Sequence, residues 1–246
     1  MLKNFLLYSF LSLLSVFYSC KKQHDAGYLD YQTLGSSAKD LLSESKYTTL
    51  QIEIQYMPGY APDAVSVSNL INFLSKYINK SGGIHVSYRE IPSRNKSTLT
   101  IDDIVSVEKV NRNLFTGGDV IAVHILITDG NFSSPNVLAI SYWNTSVCLF
   151  GKIINDNSGG VLQPSRTGYL STILEHESGH LLGLVGQGSP VIVDHKDAVH
   201  GYHCSNTNCL MYYGIETADK IGQSLNNTIP SLDANCIADV KANGGK

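Results

Sequence analysis

The pentapeptide His176-Glu177-Ser178-Gly179-His180, set within TGYLSTILEHESGHLLGLVG (167–186), constrains this chain more than any other stretch. Residues four apart share one face of a helix, so His176 and His180 present two imidazoles to one point, with Glu177 beside them. Two neutral imidazoles suit zinc, and a carboxylate in that place can act as general base on a water activated by the metal. The flanks favour a helix. Thr167 or Ser171 offers an N-cap, and Leu170, Ile173, Leu174, Leu181, Leu182 and Val185 give the broad apolar coverage of a buried helix. Gly183 fits a left-handed C-terminal position, and Gly186, Gly188 and Pro190 keep the helix from resuming. Glu175 reads as a solvated helix position. Chance would place such a pentapeptide in well under roughly 1% of chains this long, on ordinary residue frequencies.

The chain has 246 residues, 43% of them hydrophobic, enough for one sizeable core. A net charge of −3 and the absence of any basic block exclude nucleic acid as the expected partner. Residues 1–20 form a targeting segment: Lys3 is followed by an apolar run from Phe5 to Tyr18, too short for a membrane span. The run ends Ser19-Cys20-Lys21-Lys22, which resembles a bacterial lipoprotein cleavage site with Cys20 as the lipidated residue. The chain is then expected to be exported and anchored by its lipid to the cell envelope, at the outer membrane or cell surface. Four cysteines remain. An even number in an exported chain favours disulfides, Cys204–Cys209 across a short loop and Cys148–Cys236 as the complementary pair. Zinc-bound thiolates are the competing reading.

Residues 21–46 read as a polar tether, with a short helix in SSAKDLLS. TTLQIEIQYM (48–57) alternates as a strand, and residues 63–79 repeat apolar residues at helical spacing. IHVSYREI (84–91) is a second strand, and Thr100 or Asp102 can cap a shorter helix over 102–114. VIAVHILIT (120–128) reads as a buried strand, and VLAISYW (137–143) and SVCLFGKII (146–154) as two more. His85 and His124 fall within strands and read as sheet residues. Strands separated by helices imply a partly parallel sheet with helices packed on it. After Gly183 little is periodic, so a small loop-rich C-terminal lobe (185–246) is expected to face the sheet lobe (47–184) across a cleft.

HESGHLLG (176–183) matches the first eight positions of the metzincin signature H-E-x-x-H-x-x-G-x-x-H. At the third ligand position this chain has Gly186. Further on, His203-Cys204-Ser205-Asn206-Thr207-Asn208-Cys209-Leu210-Met211 is similar to the archaemetzincin arrangement H-C-x4-C-x-M. The second cysteine pair of that family is absent, Cys236 standing alone. The chain thus resembles the metzincins, as a secreted bacterial lipoprotein metalloprotease with an insertion between Leu184 and His203. The resemblance is specific over roughly 167–213. It implies an α+β zincin fold, a mixed twisted five-stranded sheet with two main helices, within a catalytic domain spanning 47–246.

The resemblance also implies a site. His176, His180 and a third histidine would hold one catalytic zinc ion, with Met211 as the hydrophobic Met-turn beneath it and Tyr213 as a possible transition-state stabiliser. His203 stands at the family spacing from Met211. His195, between Asp194 and Asp197, and His200 are the other candidates for third ligand. The implied activity is that of a zinc endopeptidase, in which Glu177 takes the proton of the attacking water and passes it to the leaving amine. A protein or peptide substrate would lie along VLAISYW as an added strand. The implied molecule is a monomer. A surface lipoprotein with a structural zinc, and a zinc hydrolase of other amides or esters, are the alternatives.

Overall fold

The structure, a computed structural model, describes residues 28–218 and 228–246. The proposed targeting segment and Cys20 lie outside these residues. A five-stranded sheet runs in the order β2 (Gly83–Glu90), β1 (Thr49–Tyr56), β4 (Val120–Thr128), β7 (Ser146–Phe150), β6 (Ala139–Trp143). The first four strands are parallel, and β6 is antiparallel to β7 at the edge. A two-residue pair, β3 (Thr98–Leu99) with β5 (Asn131–Phe132), lies beside it.

Alternation along β1 and β4 decides which helix lies on which face. Ile52, Ile54, Ile121, Val123 and Ile125 pack with Leu70 and Leu74 of α2 (Ala64–Tyr77) and Leu170, Ile173 and Leu174 of α5 (Arg166–Leu181). Leu126, Cys148 and Phe150 face the other way, onto Ile104 and Val107 of α3 (Ile101–Asn111). Each such side chain contributes roughly 1.5–3 kcal/mol on burial, so these two cores outweigh exposed pairs such as Lys152–Asp156. The mixed five-stranded sheet with its two main helices is the α+β architecture expected from the sequence.

Three expectations need correction. Residues 28–46 are packed into the body and are not a tether. Ala38, Leu41 and Leu42 of α1 (Ala38–Leu42) are buried, and Asp30, also buried, pairs with Arg112 at 3.2 Å. Arg112 also meets Glu108 at 2.8 Å, and Glu108 accepts from Tyr142 Oη at 2.6 Å, so one buried charge network joins this segment, α3 and the edge strand. The strand expected over 146–154 ends at Phe150 and becomes α4 (Gly151–Asp156). Gly151 makes that turn possible, since a Cβ there would lie 2.4 Å from the Tyr60 ring and 2.7 Å from the Thr128 carbonyl. The C-terminal lobe is loop-rich, but it carries a 3₁₀ turn (Tyr213–Glu216) and a helix, α6 (Ala234–Ala242), capped by Asp233.

Candidate metal centre

The cap of α5 is Ser165, whose hydroxyl accepts from Gly168 N at 3.1 Å; neither Thr167 nor Ser171 performs this role. The helix then buries every residue from Tyr169 to Leu181. Glu175 is among them, only 6% exposed, and burial pushes its carboxyl up to about 8; it is not a solvated position. After Leu182, Gly183 adopts φ +70°, where a Cβ would strike Ala38 and the Ser189 amide, so the chain leaves the helix there.

His176, His180 and His203 converge, with ring centroids 4.8, 5.4 and 5.0 Å apart. Each Nδ1 faces an acceptor oxygen: Leu210 O at 2.6 Å, Gln187 Oε1 at 2.7 Å and His200 O at 2.8 Å, respectively. An Nδ1–H donated there fixes the ring orientation and turns the three Nε2 atoms into one space. The Nε2 atom of His203 is buried. Burial holds His176 down to about 4, so it stays neutral, as a ligand must. These residues fit a zinc ion held by three imidazole nitrogens.

Glu177 sits beside them, 1% exposed. Its Oε2 accepts from Ser141 Oγ of β6 at 2.7 Å, while Oε1 has no partner. Burial, reinforced by the charge of Glu216, pushes this carboxyl up to about 7. Met211 is fully buried against the helix turn between the two histidines, where a Cβ on Gly179 would lie 2.2 Å from its Sδ. The Tyr213 ring stacks on His200, with the ring centroids 3.4 Å apart. His200 itself bonds Asp197 at 2.8 Å on the rim of a cleft of about 320 Å³ that the site opens into.

No sequence signal pointed to Glu216. Its Oε1 lies 3.4, 2.9 and 3.0 Å from the Nε2 atoms of His176, His180 and His203. Burial disfavours its charge, yet hydrogen bonds from the three histidines hold its carboxyl well below the usual range. Although burial also works against a charged His180, the bond to Glu216 lifts that imidazole to about 9.

Among the described residues, Cys148, Cys204, Cys209 and Cys236 are not disulfide-bonded. Cys148 lies in the α3-side core and Cys236 in the other, so they cannot pair. Cys209 Sγ is instead 3.6 Å from Cys236 Sγ, and His195 Nδ1 is 3.4 Å from Cys204 Sγ and 3.9 Å from Cys236 Sγ. Hydrogen bonds from the Cys204 and Cys236 thiols pull Cys209 down to about 4, and the Met211 and Asp233 amides donate to its sulfur, each at 3.4 Å. Asp239 Oδ2 accepts from His195 Nε2 at 2.8 Å, which aims Nδ1 at the sulfurs. His195, Cys204, Asp233 and Cys236 each bring one ligand atom within 4.8 Å of the others, and Cys209 lies 3.6 Å from Cys236, so this cluster offers imidazole, thiolate and carboxylate donors to a second metal ion. His195 therefore belongs to the cysteines and not to the histidine site.

The same architecture occurs in the crystal structure of archaemetzincin from Methanopyrus kandleri, with a TM-score of 0.52 at 13% identity, over 80% of this chain and 96% of that one. The fold is metzincin-like. Metalloproteinase-II from Bacteroides fragilis is also similar, at 17% identity and a TM-score of 0.44, over 82% of this chain and 56% of that one. No family model and no curated protein matches the sequence. On this metzincin-like frame, His176, His180 and Glu177 ride on α5, Met211 lies beneath, and His203 returns after the insertion.

Proposed function

We propose that the chain is a zinc-dependent endopeptidase, exported and held to the bacterial cell envelope by a lipid on Cys20. The observation that carries the reading is the convergence of three histidine Nε2 atoms beside a buried carboxylate with one unpartnered oxygen. Zinc held by His176, His180 and His203 supplies a Lewis acid that polarises a peptide carbonyl and acidifies water. Glu177 Oε1 takes the proton of the attacking water and returns it to the leaving amine. Ser141 steadies the other oxygen from the edge strand, along which an extended substrate would lie. A second zinc, on His195, Cys204, Cys209 and Cys236, is structural in this reading. The substrate is a protein or peptide, and the molecule acts as a monomer.

The test is a peptide-library digest by the purified chain, with and without chelator, alongside Glu177→Gln. We expect cleavage that the chelator abolishes and that Glu177→Gln lowers by at least about 10²-fold, the low end for general acid–base catalysis. That variant should retain its zinc. Undiminished cleavage by Glu177→Gln would sink the mechanism. A digest in which no peptide is cut would favour the lipoprotein with a structural zinc.

A further inference from the structure

Catalytic zinc sites keep a position open for water, whereas structural sites close all four. In this chain a fourth donor already stands at the histidine site. Around zinc with bonds of about 2.0–2.1 Å, tetrahedral donors lie roughly 3.3–3.4 Å apart. Glu216 Oε1 is 2.9–3.4 Å from the three Nε2 atoms, and His176 Nε2 is 3.1 Å from His180 Nε2. These four separations match edges of a tetrahedron whose fourth vertex is the carboxylate, and all four donors lie within 4.8 Å of one another. The charges agree. Three imidazole nitrogens and a carboxylate oxygen at these separations suit a cation placed among them.

A second observation concerns the backbone. Beyond the 3₁₀ turn, Thr217 forms an antiparallel bridge to Val137. Leu138 N donates to Glu216 O at 3.0 Å, and Ala218 N donates to Asn136 O at 3.0 Å. The chain's own residues 216–218 thus pair with 136–138, the entry to the edge strand β6 along which a substrate would be added. One short segment thus reaches both the metal's open position, with its side chain, and the entry to the strand edge, with its backbone.

We propose that Tyr213–Ala218 is an autoinhibitory strap and Glu216 the resting fourth ligand of the histidine-bound zinc. The inference rests on the zinc peptidase reading above. In the resting protein Glu177 has no water to deprotonate, because Glu216 holds its place. An incoming extended peptide displaces residues 216–218 from 136–138, draws the carboxylate away and opens the metal. The buried, half-partnered Glu177 argues against a site that is closed permanently, since a purely structural ion has no use for a general base there.

The test uses the full chain loaded with zinc. A crystal structure phased at the zinc edge should place a Glu216 oxygen about 2.0–2.2 Å from the histidine-bound ion. A water in that position, with Glu216 off the metal, would overturn the proposal. In solution, Glu216→Gln and Glu216→Ala should release that zinc to chelator roughly tenfold more readily or worse, the scale already seen when partners outside the ligand sphere are lost. The same variants should cleave peptides several-fold faster than the parent chain. An unchanged chelator curve would also overturn the proposal. Absence of cleavage by every version would defeat the peptidase reading alone, because the zinc–oxygen distance and the chelator curve report on Glu216 directly.

Discussion

Gly179 shows how one residue of the motif answers to the far side of the fold. Within a helix, glycine costs about 1 kcal/mol relative to alanine, so Gly179→Ala would stabilise α5 if the space were free. It is filled by Met211, whose Sδ would lie 2.2 Å from the new Cβ and whose side chain is fully buried. The methionine has no solvent to swing into, so overpacking outweighs propensity. Gly179→Ala should therefore destabilise the protein by about 1–3 kcal/mol in urea unfolding. Met211→Ala should cost about 2–5 kcal/mol by leaving a cavity. In the double variant the added methyl enters that cavity, so the two losses should fall short of additive by at least about 0.5 kcal/mol. Strict additivity would mean that Met211 does not press on the helix between the two histidines.

Among the elements, α3 links surface electrostatics to the edge of the site. Its N-terminus is a capping box: Thr100 Oγ1 accepts from Asp103 N at 3.3 Å, and Asp103 Oδ2 accepts from Thr100 N at 3.1 Å. The Lys96 ammonium at 2.6 Å, followed by the Thr100 amide, draws the Asp103 carboxyl down to about 2. A carboxyl depressed on folding contributes stability that is present above its unfolded pKa, near 4, and is lost as pH falls through about 2. The stability gap between the parent chain and Asp103→Asn should thus be widest near pH 6 and close between about pH 4 and 2. A gap that stays constant over that range would refute the assignment, and metal loss in acid, common to both proteins, cancels in the difference. The capped helix was legible from its cap, β1 and α2 from their period, and β4 and the span of α5 from their continuous apolar coverage. What was not legible had no period to read. The run SVCLFGKII is largely apolar and carries no marker of a strand end, although the tight packing of Gly151 against Tyr60 marks where the strand gives way to α4. His195, His200 and His203 lie within nine positions of one another, so spacing alone left the third ligand open. Glu216 is a single acidic residue after a turn, brought to the histidines only by the pairing of residues 216–218 with 136–138. Cysteine parity favoured disulfides because an even count looks the same whether sulfur meets sulfur or metal.

At the scale of the whole molecule, the question is what holds the C-terminal lobe to the sheet lobe. Residues 185–212 contain no helix or sheet strand, yet His203, Cys204 and Met211 are buried. The cysteine–histidine cluster joins three separate stretches there: His195 from the insertion, Cys204 and Cys209 flanking the approach to Met211, and Cys236 from α6. Asp239 of α6 ties the same loop again through the Ile192 amide at 2.7 Å and His195 at 2.8 Å. Two parts of the histidine site hang from this cluster. His203 directly precedes Cys204, and Leu210, whose carbonyl orients His176, directly follows Cys209. If a zinc ion holds the cluster, its binding energy is folding energy for the lobe. Cys236→Ser should then lower bound zinc from two ions per chain to one or fewer and greatly reduce peptide cleavage, although residue 236 makes no contact with the histidines. Amide exchange should rise across 195–211 and α6 while β1 and β4 keep their protection, since the sheet core does not depend on the metal. Two ions retained with unchanged exchange, or a Cys209–Cys236 disulfide found by non-reducing peptide mapping, would show that the lobe is held by something other than metal.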